Sequence, residues 1–209
     1  MPRPKDIDTE EGRQRHEAKY QRILDAALDV FARKGFHEAK ISEIARAAGV
    51  ADGTIYLYFK NKDDLLISLF ESKLEQINEG LRNELKDITD ARERLQHIIR
   101  YHLRLALENP TLAAFITIEL RRSGKFMKDY AKAQLSEYLT QWGNVIDEGK
   151  ASGQFRSDMS TGILKHILFG ALDHACVTWV NNPQRRPEDL TEVGEHLNAM
   201  VMHVVNAQS

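Results

Sequence analysis

Apolar residues recur at helical spacing along almost the whole chain. Over residues 17–34 they place Ile23, Ala27 and Phe31 on one face, and Gly35 follows as a stop signal. The one Asp-Gly pair, at residues 52–53, lies between helical patterns, and no segment alternates convincingly with the two-residue period of a strand. The sequence therefore predicts an all-α fold, with helices over residues 17–34, 41–48, 53–60, 62–86, 90–108, 111–123, 125–150, 160–181 and 187–206.

The composition changes near residue 65, where short basic helices give way to longer and more apolar ones. A chain of 209 residues can form one large domain or two small ones. We therefore predict a flexible tail over residues 1–15, a three-helix unit over residues 16–62, and a larger helical domain over residues 63–209. The long fourth helix joins the two units.

Charge and cysteine content narrow the class of protein. The formal net charge of −2 gives no whole-molecule attraction to nucleic acid or to an acidic membrane, so any polyanion site has to be a local patch. Cys176 is the single cysteine, and no Cys/His spacing indicates a metal site. The N-terminus lacks the apolar stretch of a secretory signal, and residues 112–118 and 162–180 are too short or too interrupted to span a bilayer. We expect a cytoplasmic protein with no cofactor and no membrane segment.

An enzyme would have to use Asp173, His174 and Cys176. On a helix Asp173 and Cys176 share a face, whereas His174 points about 100° away from Asp173. The imidazole therefore cannot easily serve the thiol as a base. We predict no catalytic residues.

The short helix over residues 53–60 follows a helix and a tight turn, which is the spacing of a helix-turn-helix motif. An outward leucine between a glycine, a hydroxyl and a phenol fits a DNA major groove, where such groups meet bases and phosphates. The alternative is a small three-helix packing unit with half-buried tyrosines, because a helix-turn-helix spacing alone does not establish DNA binding. A helical wheel places Ile55, Tyr56 and Phe59 on the inward side and Gly53, Thr54, Leu57 and Tyr58 on the outward side.

Four motifs follow one another over residues 23–66: ILDAALDVF, ISEIARAAGV, DGTIYLYF and KNKDDLL. Together they resemble the N-terminal domain of the TetR family of repressors. The resemblance implies a homodimeric repressor that binds a palindromic operator in double-stranded DNA. It also implies that Thr54, Tyr58 and Lys62 contact the DNA, mainly its backbone.

One departure from the family pattern affects the start of the second helix. The family usually has a Thr or Ser there as a cap, whereas this chain has Ala39 and Lys40. Either Lys40 or Ser42 is expected to take over a phosphate contact. The residues predicted to contact DNA are Lys40, Ser42, Gly53, Thr54, Leu57, Tyr58, Lys60 and Lys62.

The helix over residues 160–181 carries two apolar stripes, which indicates burial on two sides. One stripe fits the core of the subunit, and the other fits a partner together with the last helix. Two such helices from each subunit can form an isologous four-helix contact, while a monomer with a fully buried central helix is the alternative. The predicted dimer interface contains Ile163, Ile167, Gly170, His174, Val177, Leu197, Met200, Val201 and Val204.

Two motifs outside the first unit, ELRRS at residues 119–123 and FGALDHACVTWVNN at residues 169–182, narrow the resemblance. They are similar to TetR-family regulators of fatty-acid degradation that sense acyl-CoA. This resemblance implies a repressor of fatty-acid metabolism genes that leaves its operator when long-chain acyl-CoA binds. The alternative is the same scaffold sensing a free fatty acid, an aromatic compound or a drug.

Such a ligand needs an apolar tunnel for its acyl tail and cations for the phosphates of coenzyme A. The apolar candidates fit ordinary core packing equally well, and the basic candidates also fit a solvated helix end. The residues predicted to bind the ligand are His102, Phe115, Leu120, Arg121, Arg122, Lys125, Tyr138, Trp142, Leu168, Phe169, Leu172 and Asp173.

Overall fold

A computed structural model describes residues 9–119 and 131–206, and within these residues the fold is all-α, as predicted. One isolated bridge between Phe155 and Asn206 is the sole extended pairing in the described part. The helices are α1 (Glu10–Lys34), α2 (Ile41–Ala47), α3 (Asp52–Tyr58), α4 (Lys62–Leu85), α5 (Ala91–Glu108), α6 (Pro110–Ala114), α7 (Ala131–Ala151), α8 (Thr161–Val180) and α9 (Pro187–Val205).

The chain divides into two compact units, Met1–Ser72 and Lys73–Ser209. Helix α4 starts in the first unit and ends in the second. The boundary that we predict from the sequence, between residues 62 and 63, falls at the start of this helix. The change in composition marks the start of α4, whereas the packing divides the chain about ten residues later.

Helix α1 begins earlier than the sequence suggests. Thr9 caps it by accepting a hydrogen bond from the Gly12 backbone nitrogen at 3.1 Å, and Glu10 and Glu11 lie in the first turn, where the helix dipole favours anions. Residues 10–15, which we expected in a flexible tail, therefore form the first turns of α1. Apolar spacing could not locate this start because these turns carry polar side chains on nearly every face.

The first unit is built around fully buried side chains from each of its helices. Ile23 and Phe31 of α1, Ile44 of α2, and Ile55 and Phe59 at α3 all have at most 1% of their surface exposed. Gly49 makes the turn between α2 and α3 with φ of 64°, a left-handed conformation that glycine adopts without strain. The turn and the buried residues fix α3 against the two preceding helices.

In the second unit α5 packs against α7 and α9, and α8 packs against α5, α6, α7 and α9. Asn109 and Pro110 interrupt the helical path after α5. The Asn109 side chain caps α6 by accepting a 2.9 Å hydrogen bond from the Leu112 backbone nitrogen. Helix α6 has five residues. The chain then forms a short π-helix over Phe115–Glu119, which is a wider turn than that of an α-helix. The sequence suggests one continuous helix over residues 111–123, of which residues 120–123 lie outside the described part.

Helix α8 has buried and exposed apolar stripes, as its sequence indicates. Leu164, Leu168 and Leu172 are buried, whereas Ile163 and Ile167 are each 64% exposed. Within the described residues, α8 is the one helix long and apolar enough to cross a membrane by length and composition, contrary to our expectation for residues 162–180. The core helix of a soluble protein meets the same criteria.

Two glycines of α7 provide a matched test of packing in the second unit. A Cβ at Gly149 would overlap the Phe155 ring, with the ring Cγ 2.8 Å away, whereas a Cβ at Gly143 would come no closer than 3.7 Å to the Lys165 side chain. We expect Gly149→Ala to lower the free energy of unfolding by about 1–3 kcal/mol because the ring has to move. Gly143→Ala is expected to raise it by about 0.5–1 kcal/mol through helix propensity. Urea unfolding followed by circular dichroism measures both, and equal effects at the two sites would contradict the packing described here.

Candidate DNA-binding surface and ligand cavity

The outward face of α3 is more aromatic than the helical wheel predicts. Ile55 and Phe59 are buried as expected, and Leu57 is 59% exposed. Tyr56 is 49% exposed, so its assignment to the inward side is wrong. Tyr56 lies about 100° from Ile55 and 60° from Phe59 on the wheel, at the edge of the inward sector, where neighbouring helices decide its position. Gly53 has open space around it, which leaves the backbone accessible.

Tyr58 is half-buried, although we expected it to point fully outward. Its ring lies 4.5 Å from the His16 ring and 6.2 Å from the Tyr20 ring, both in the N-terminal half of α1. Burial against these rings raises the pKa of the Tyr58 hydroxyl, so the phenol stays neutral. The sequence analysis did not predict this burial of Tyr58, because it placed His16 at the edge of a flexible tail.

The start of α2 is stabilised without the usual Ser or Thr cap. The Glu43 carboxylate accepts a 3.3 Å hydrogen bond from the Lys40 backbone nitrogen and a 2.6 Å hydrogen bond from Lys34 Nζ. These bonds, led by the one from Lys34, lower the pKa of the Glu43 carboxyl. The Lys40 side chain is exposed and Ser42 is partly exposed, so both lie where a DNA contact is sterically possible.

Lys62 is held by the protein itself. Its Nζ donates to the backbone oxygens of Phe36 at 2.8 Å, His37 at 3.0 Å and Ala39 at 3.0 Å, and it lies 4.6 Å from the centre of the Phe36 ring. An ammonium group has three N–H donors, and these three bonds use all of them. The ammonium group is therefore held against the loop between α1 and α2, and its predicted contact with DNA stays a prediction. Thr54 is partly exposed and Lys60 is exposed.

The second unit contains a cavity of about 80 Å³. Its walls come from α4, α5, α6, the wide turn after α6, α7 and α8. The wall is mostly aliphatic and aromatic, with a few polar groups between α5, α7 and α8. The lining residues are Leu74, Ile77, His102, Leu105, Ala106, Leu112, Ala113, Ile116, Thr117, Leu135, Tyr138, Phe169, Asp173 and Cys176.

Four of the residues predicted for the ligand line this cavity: His102, Tyr138, Phe169 and Asp173. Four others lie in the surrounding core and do not form its wall. Four more lie outside the described residues, including the basic group predicted for phosphates. The core residues are Phe115, Trp142, Leu168 and Leu172, and those outside the described part are Leu120, Arg121, Arg122 and Lys125.

Sequence reasoning missed the aliphatic and small residues of the wall. Leu74 and Ile77 follow the apolar pattern of α4, and nothing in that pattern separates a cavity wall from a core. Ala106 and Ala113 leave space because their side chains are short. Alanines that face large aromatic side chains would have indicated the cavity. Finding them requires knowing how the helices pack, which the spacing of residues in the sequence does not give.

His102 lies at the centre of an aromatic cluster beside the cavity. Its Nδ1 lies 3.1 Å from the Tyr138 hydroxyl, and its ring meets those of Trp142 and Phe169 edge to face, with centroids 5.7 and 5.8 Å apart. Desolvation in this cluster lowers the pKa of His102 from its usual 6.5 to about 4, so the imidazole is neutral at physiological pH. Burial likewise raises the pKa of the Tyr138 hydroxyl well above its usual value and the pKa of the Cys176 thiol to about 12.

The outer faces of α8 and α9 form an exposed apolar surface. Ile163, Ile167, Met200 and Val204 are between 44% and 66% exposed. Gly170 and His174 are exposed on the same side of α8, and Val177 and Leu197 are half-buried. Val201 is 9% exposed and packs inside the subunit, so it is a poor interface candidate. The other predicted interface residues are exposed or half-buried in the subunit, and their contact with a partner stays a prediction.

Comparisons with known proteins agree with this architecture. Residues 23–69 match the family described as bacterial regulatory proteins, tetR family, and residues 70–204 match the C-terminal region of YsiA-like proteins. The fatty acid metabolism regulator protein of Bacillus subtilis is 39% identical over 167 residues, which cover 80% of this chain and 86% of that relative. The chain belongs to the TetR family.

Solved structures of TetR-family relatives share the fold. FadR from Bacillus subtilis, in complex with stearoyl-CoA, superimposes with a TM-score of 0.82 at 36% identity, covering 88% of this chain and 97% of that one. The fatty acid degradation regulator FadR from Bacillus halodurans gives the same TM-score and identity, covering 88% and 94% of the two chains. The predicted combination of a TetR helix-turn-helix domain and a larger helical domain is therefore confirmed.

The neutral imidazole of His102 makes stability depend on pH. Its pKa is lower in the folded state, about 4, than in the unfolded chain, about 6.5, so the unfolded chain takes up the proton first as the pH falls. The stabilisation is present above about pH 6.5 and is lost progressively towards pH 4, by about 3 kcal/mol at most. We expect His102→Phe, which keeps a ring but cannot titrate, to flatten this part of the curve of unfolding free energy against pH. Superimposable slopes for the two proteins between pH 6.5 and 4 would contradict the buried neutral histidine.

Proposed function

We propose that this TetR-family regulator represses genes of fatty-acid metabolism and leaves its operator when long-chain acyl-CoA fills the cavity of the second unit. The observation that carries the proposal is the apolar cavity, in a chain whose structural relative is a FadR with bound stearoyl-CoA. The exposed face of α3 supports operator binding, since Leu57 and Tyr56 are exposed beside the open backbone of Gly53. The proposed ligand is regulatory, and we propose no cofactor.

The chemistry of the cavity wall favours a neutral acyl chain over a free fatty acid. Burial of a carboxylate is costly unless a cation or several hydrogen-bond donors accompany it. The described part of the wall contains no Lys or Arg, and His102 is neutral at physiological pH. The acidic residue of the wall, Asp173, adds no positive charge. A thioester inside the cavity avoids this cost, because the charged phosphates of coenzyme A remain at its mouth.

The proposed ligand also needs cations outside the cavity. Arg121, Arg122 and Lys125 are our candidates for the coenzyme A phosphates, on the basis of the sequence alone. In the sequence they follow the wide turn that supplies Ile116 and Thr117 to the wall. Arg side chains can bind phosphate with two parallel hydrogen bonds, which suits this role.

We propose a regulator without catalytic activity. Cys176 is buried, and the pKa of about 12 keeps its thiol protonated and therefore a weak nucleophile. Known relatives are transcriptional regulators. We further propose that the protein acts in the cytoplasm, bound to the chromosome, and not at a membrane.

We propose that two copies associate through the exposed faces of α8 and α9. Exposed isoleucines and a methionine in one patch are typical of a surface that a partner covers. An isologous contact of two helices from each copy would bury this patch and present two α3 helices to a palindromic operator. The half-buried residues Val177 and Leu197 border the same surface.

Gel shifts with a ligand panel test the proposed function. The DNA is a duplex selected from a random library by the wild-type protein, and the ligands are stearoyl-CoA, stearate and free coenzyme A. We expect micromolar stearoyl-CoA to release the duplex and the other two to leave it bound. Release by stearate alone would favour the free fatty acid, and an intact complex with all three would refute acyl sensing while leaving DNA binding in place.

A side chain that fills the cavity should block the response without affecting operator binding. Ala113 lines the cavity, and Ala114 is the next residue of the same short helix but does not line it. We expect Ala113→Phe to raise the stearoyl-CoA concentration for half-release by at least about tenfold, since the ring occupies the space of the tail. Ala114→Phe is the matched control. Equal shifts in the two variants would mean that the ligand binds elsewhere.

A charge in the exposed patch tests the dimer. Ile167→Glu places a carboxylate at the proposed contact, where burial without a partner is unfavourable. We expect the variant to elute as a monomer and to lose at least about tenfold in operator affinity, because one α3 helix reads only half of a palindrome. Arg100→Glu, at an exposed position of α5, is the control for an added carboxylate. A dimeric Ile167→Glu variant with unchanged affinity would exclude this surface.

A further inference from the structure

His102 of α5 and Tyr138 of α7 form a hydrogen-bonded pair in the wall of the cavity. His102 Nδ1 lies 3.1 Å from the Tyr138 hydroxyl, and this is the sole hydrogen bond of the imidazole within the described residues. Tyr138 is buried, whereas part of the His102 surface is accessible. The rings of Tyr138, Trp142 and Phe169 pack around His102, so we assign its accessible part to the cavity.

The pair has one hydrogen-bond donor more than its own contact uses. Burial lowers the pKa of His102 to about 4, and the resulting neutral imidazole has one N–H and one bare nitrogen. If Nδ1 is bare, the Tyr138 O–H donates to it, and the Nε2–H of His102 is left over. If Nδ1 carries the proton, it donates to the phenol oxygen, and the Tyr138 O–H is left over. Both tautomers therefore leave one donor for a third group.

Trp142 adds to this excess of donors. It is fully buried, and its ring centroid lies 5.7 Å from that of His102 and 5.3 Å from that of Tyr138. Its Nε1–H has no acceptor at hydrogen-bonding geometry among the described residues, and an indole cannot accept in return. Buried donors without acceptors are rare in proteins because each one costs free energy. A molecule that enters this part of the cavity is therefore favoured if it brings an acceptor.

The chemistry of the wall favours an uncharged acceptor. A carboxylate or phosphate that leaves water needs a cation or several donors, and the described part of the wall contains neither Lys nor Arg. Asp173 also lines the cavity, but an ionised carboxylate can only accept, so it cannot donate to a ligand. The carbonyl oxygen of a thioester or an ester needs no counter-charge and can accept a hydrogen bond from one neutral donor.

We propose that the spare donor of the His102–Tyr138 pair binds the carbonyl oxygen of the acyl thioester and so distinguishes an acyl chain from an alkyl chain of equal length. The aliphatic part of the wall, which includes Leu74, Ile77 and Leu105, is left for the tail. This inference rests on the proposed acyl-CoA ligand, whereas the excess of donors is a property of the protein alone.

Two ligands that differ in one group test the inference. Stearoyl-CoA carries the carbonyl, and in octadecyl-CoA a methylene group replaces it. Both are titrated below their micellar concentrations into the full chain without DNA, and binding is measured by isothermal titration calorimetry. We expect stearoyl-CoA to bind about threefold to tenfold more tightly, which is the worth of one hydrogen bond between neutral groups. Equal affinities would overturn the inference and leave acyl sensing in place, whereas failure of both ligands to bind would overturn the proposed function as well.

Substitution of both members of the pair locates the donor. In the single variant Tyr138→Phe, His102 still has an N–H, so we expect the preference for stearoyl-CoA to persist. In the double variant, Tyr138→Phe with His102→Phe, no donor is left, and the affinity for stearoyl-CoA should fall to that for octadecyl-CoA. Phe169→Leu changes an apolar part of the same wall and is the control, since it should weaken both ligands by the same factor. A preference that survives in the double variant would overturn the inference.

A rescue variant keeps the test decisive if the double variant does not fold. Tyr138→Phe with His102→Gln restores N–H donors on an uncharged side chain. We expect this protein to prefer stearoyl-CoA, because the carbonyl needs a donor and not an imidazole. Loss of the preference in this variant, with a normal urea unfolding transition, would also overturn the inference.

Discussion

Helix α8 carries apolar side chains on two opposite sides, and much of the second unit depends on this constraint. Its inner stripe of leucines forms part of the core with α5, α7 and α9, and Phe169, Asp173 and Cys176 on a neighbouring face line the cavity. Its outer stripe exposes isoleucines that water solvates poorly. A helix of 20 residues thus connects the proposed ligand site to the proposed subunit contact within one rigid element. Any ligand that displaces α8 also displaces the surface that would face a partner.

The cavity combines an apolar wall with a few polar groups, and its aromatic cluster explains why three of them remain uncharged. His102, Tyr138 and Cys176 all favour their neutral forms because the surrounding rings and aliphatic side chains remove water. The 3.1 Å contact between His102 and Tyr138 satisfies polar atoms that would otherwise be buried without partners. The site therefore suits an acyl chain, and specificity for the rest of the ligand has to come from groups at its mouth.

The two proposed sites are stabilised in different ways. The cavity depends on many small apolar contacts, so a single substitution changes its volume but does not abolish it. The DNA-binding unit has an apolar core of its own, and a few directed bonds add to it: Glu43 accepts from the Lys40 nitrogen at the start of α2, and Lys62 donates to the preceding loop. These bonds stabilise the start of α2 in place of the Ser or Thr cap that is usual in the family. A departure from a family motif can thus be compensated by residues distant in the chain.

The sequence by itself determined the all-α class, most helix boundaries and the division of α8 into two stripes, because each follows from spacing within one helix. It also carried the motifs of the TetR family. Only the tertiary structure decided that Tyr56 is exposed, that the N-terminal half of α1 covers Tyr58, and that Phe115, Trp142, Leu168 and Leu172 belong to the core and not to the cavity wall. It also decided that the ammonium group of Lys62 is bound by backbone carbonyls. The reason is the same in each case: these positions are set by contacts between helices far apart in the chain, and periodicity describes one helix at a time.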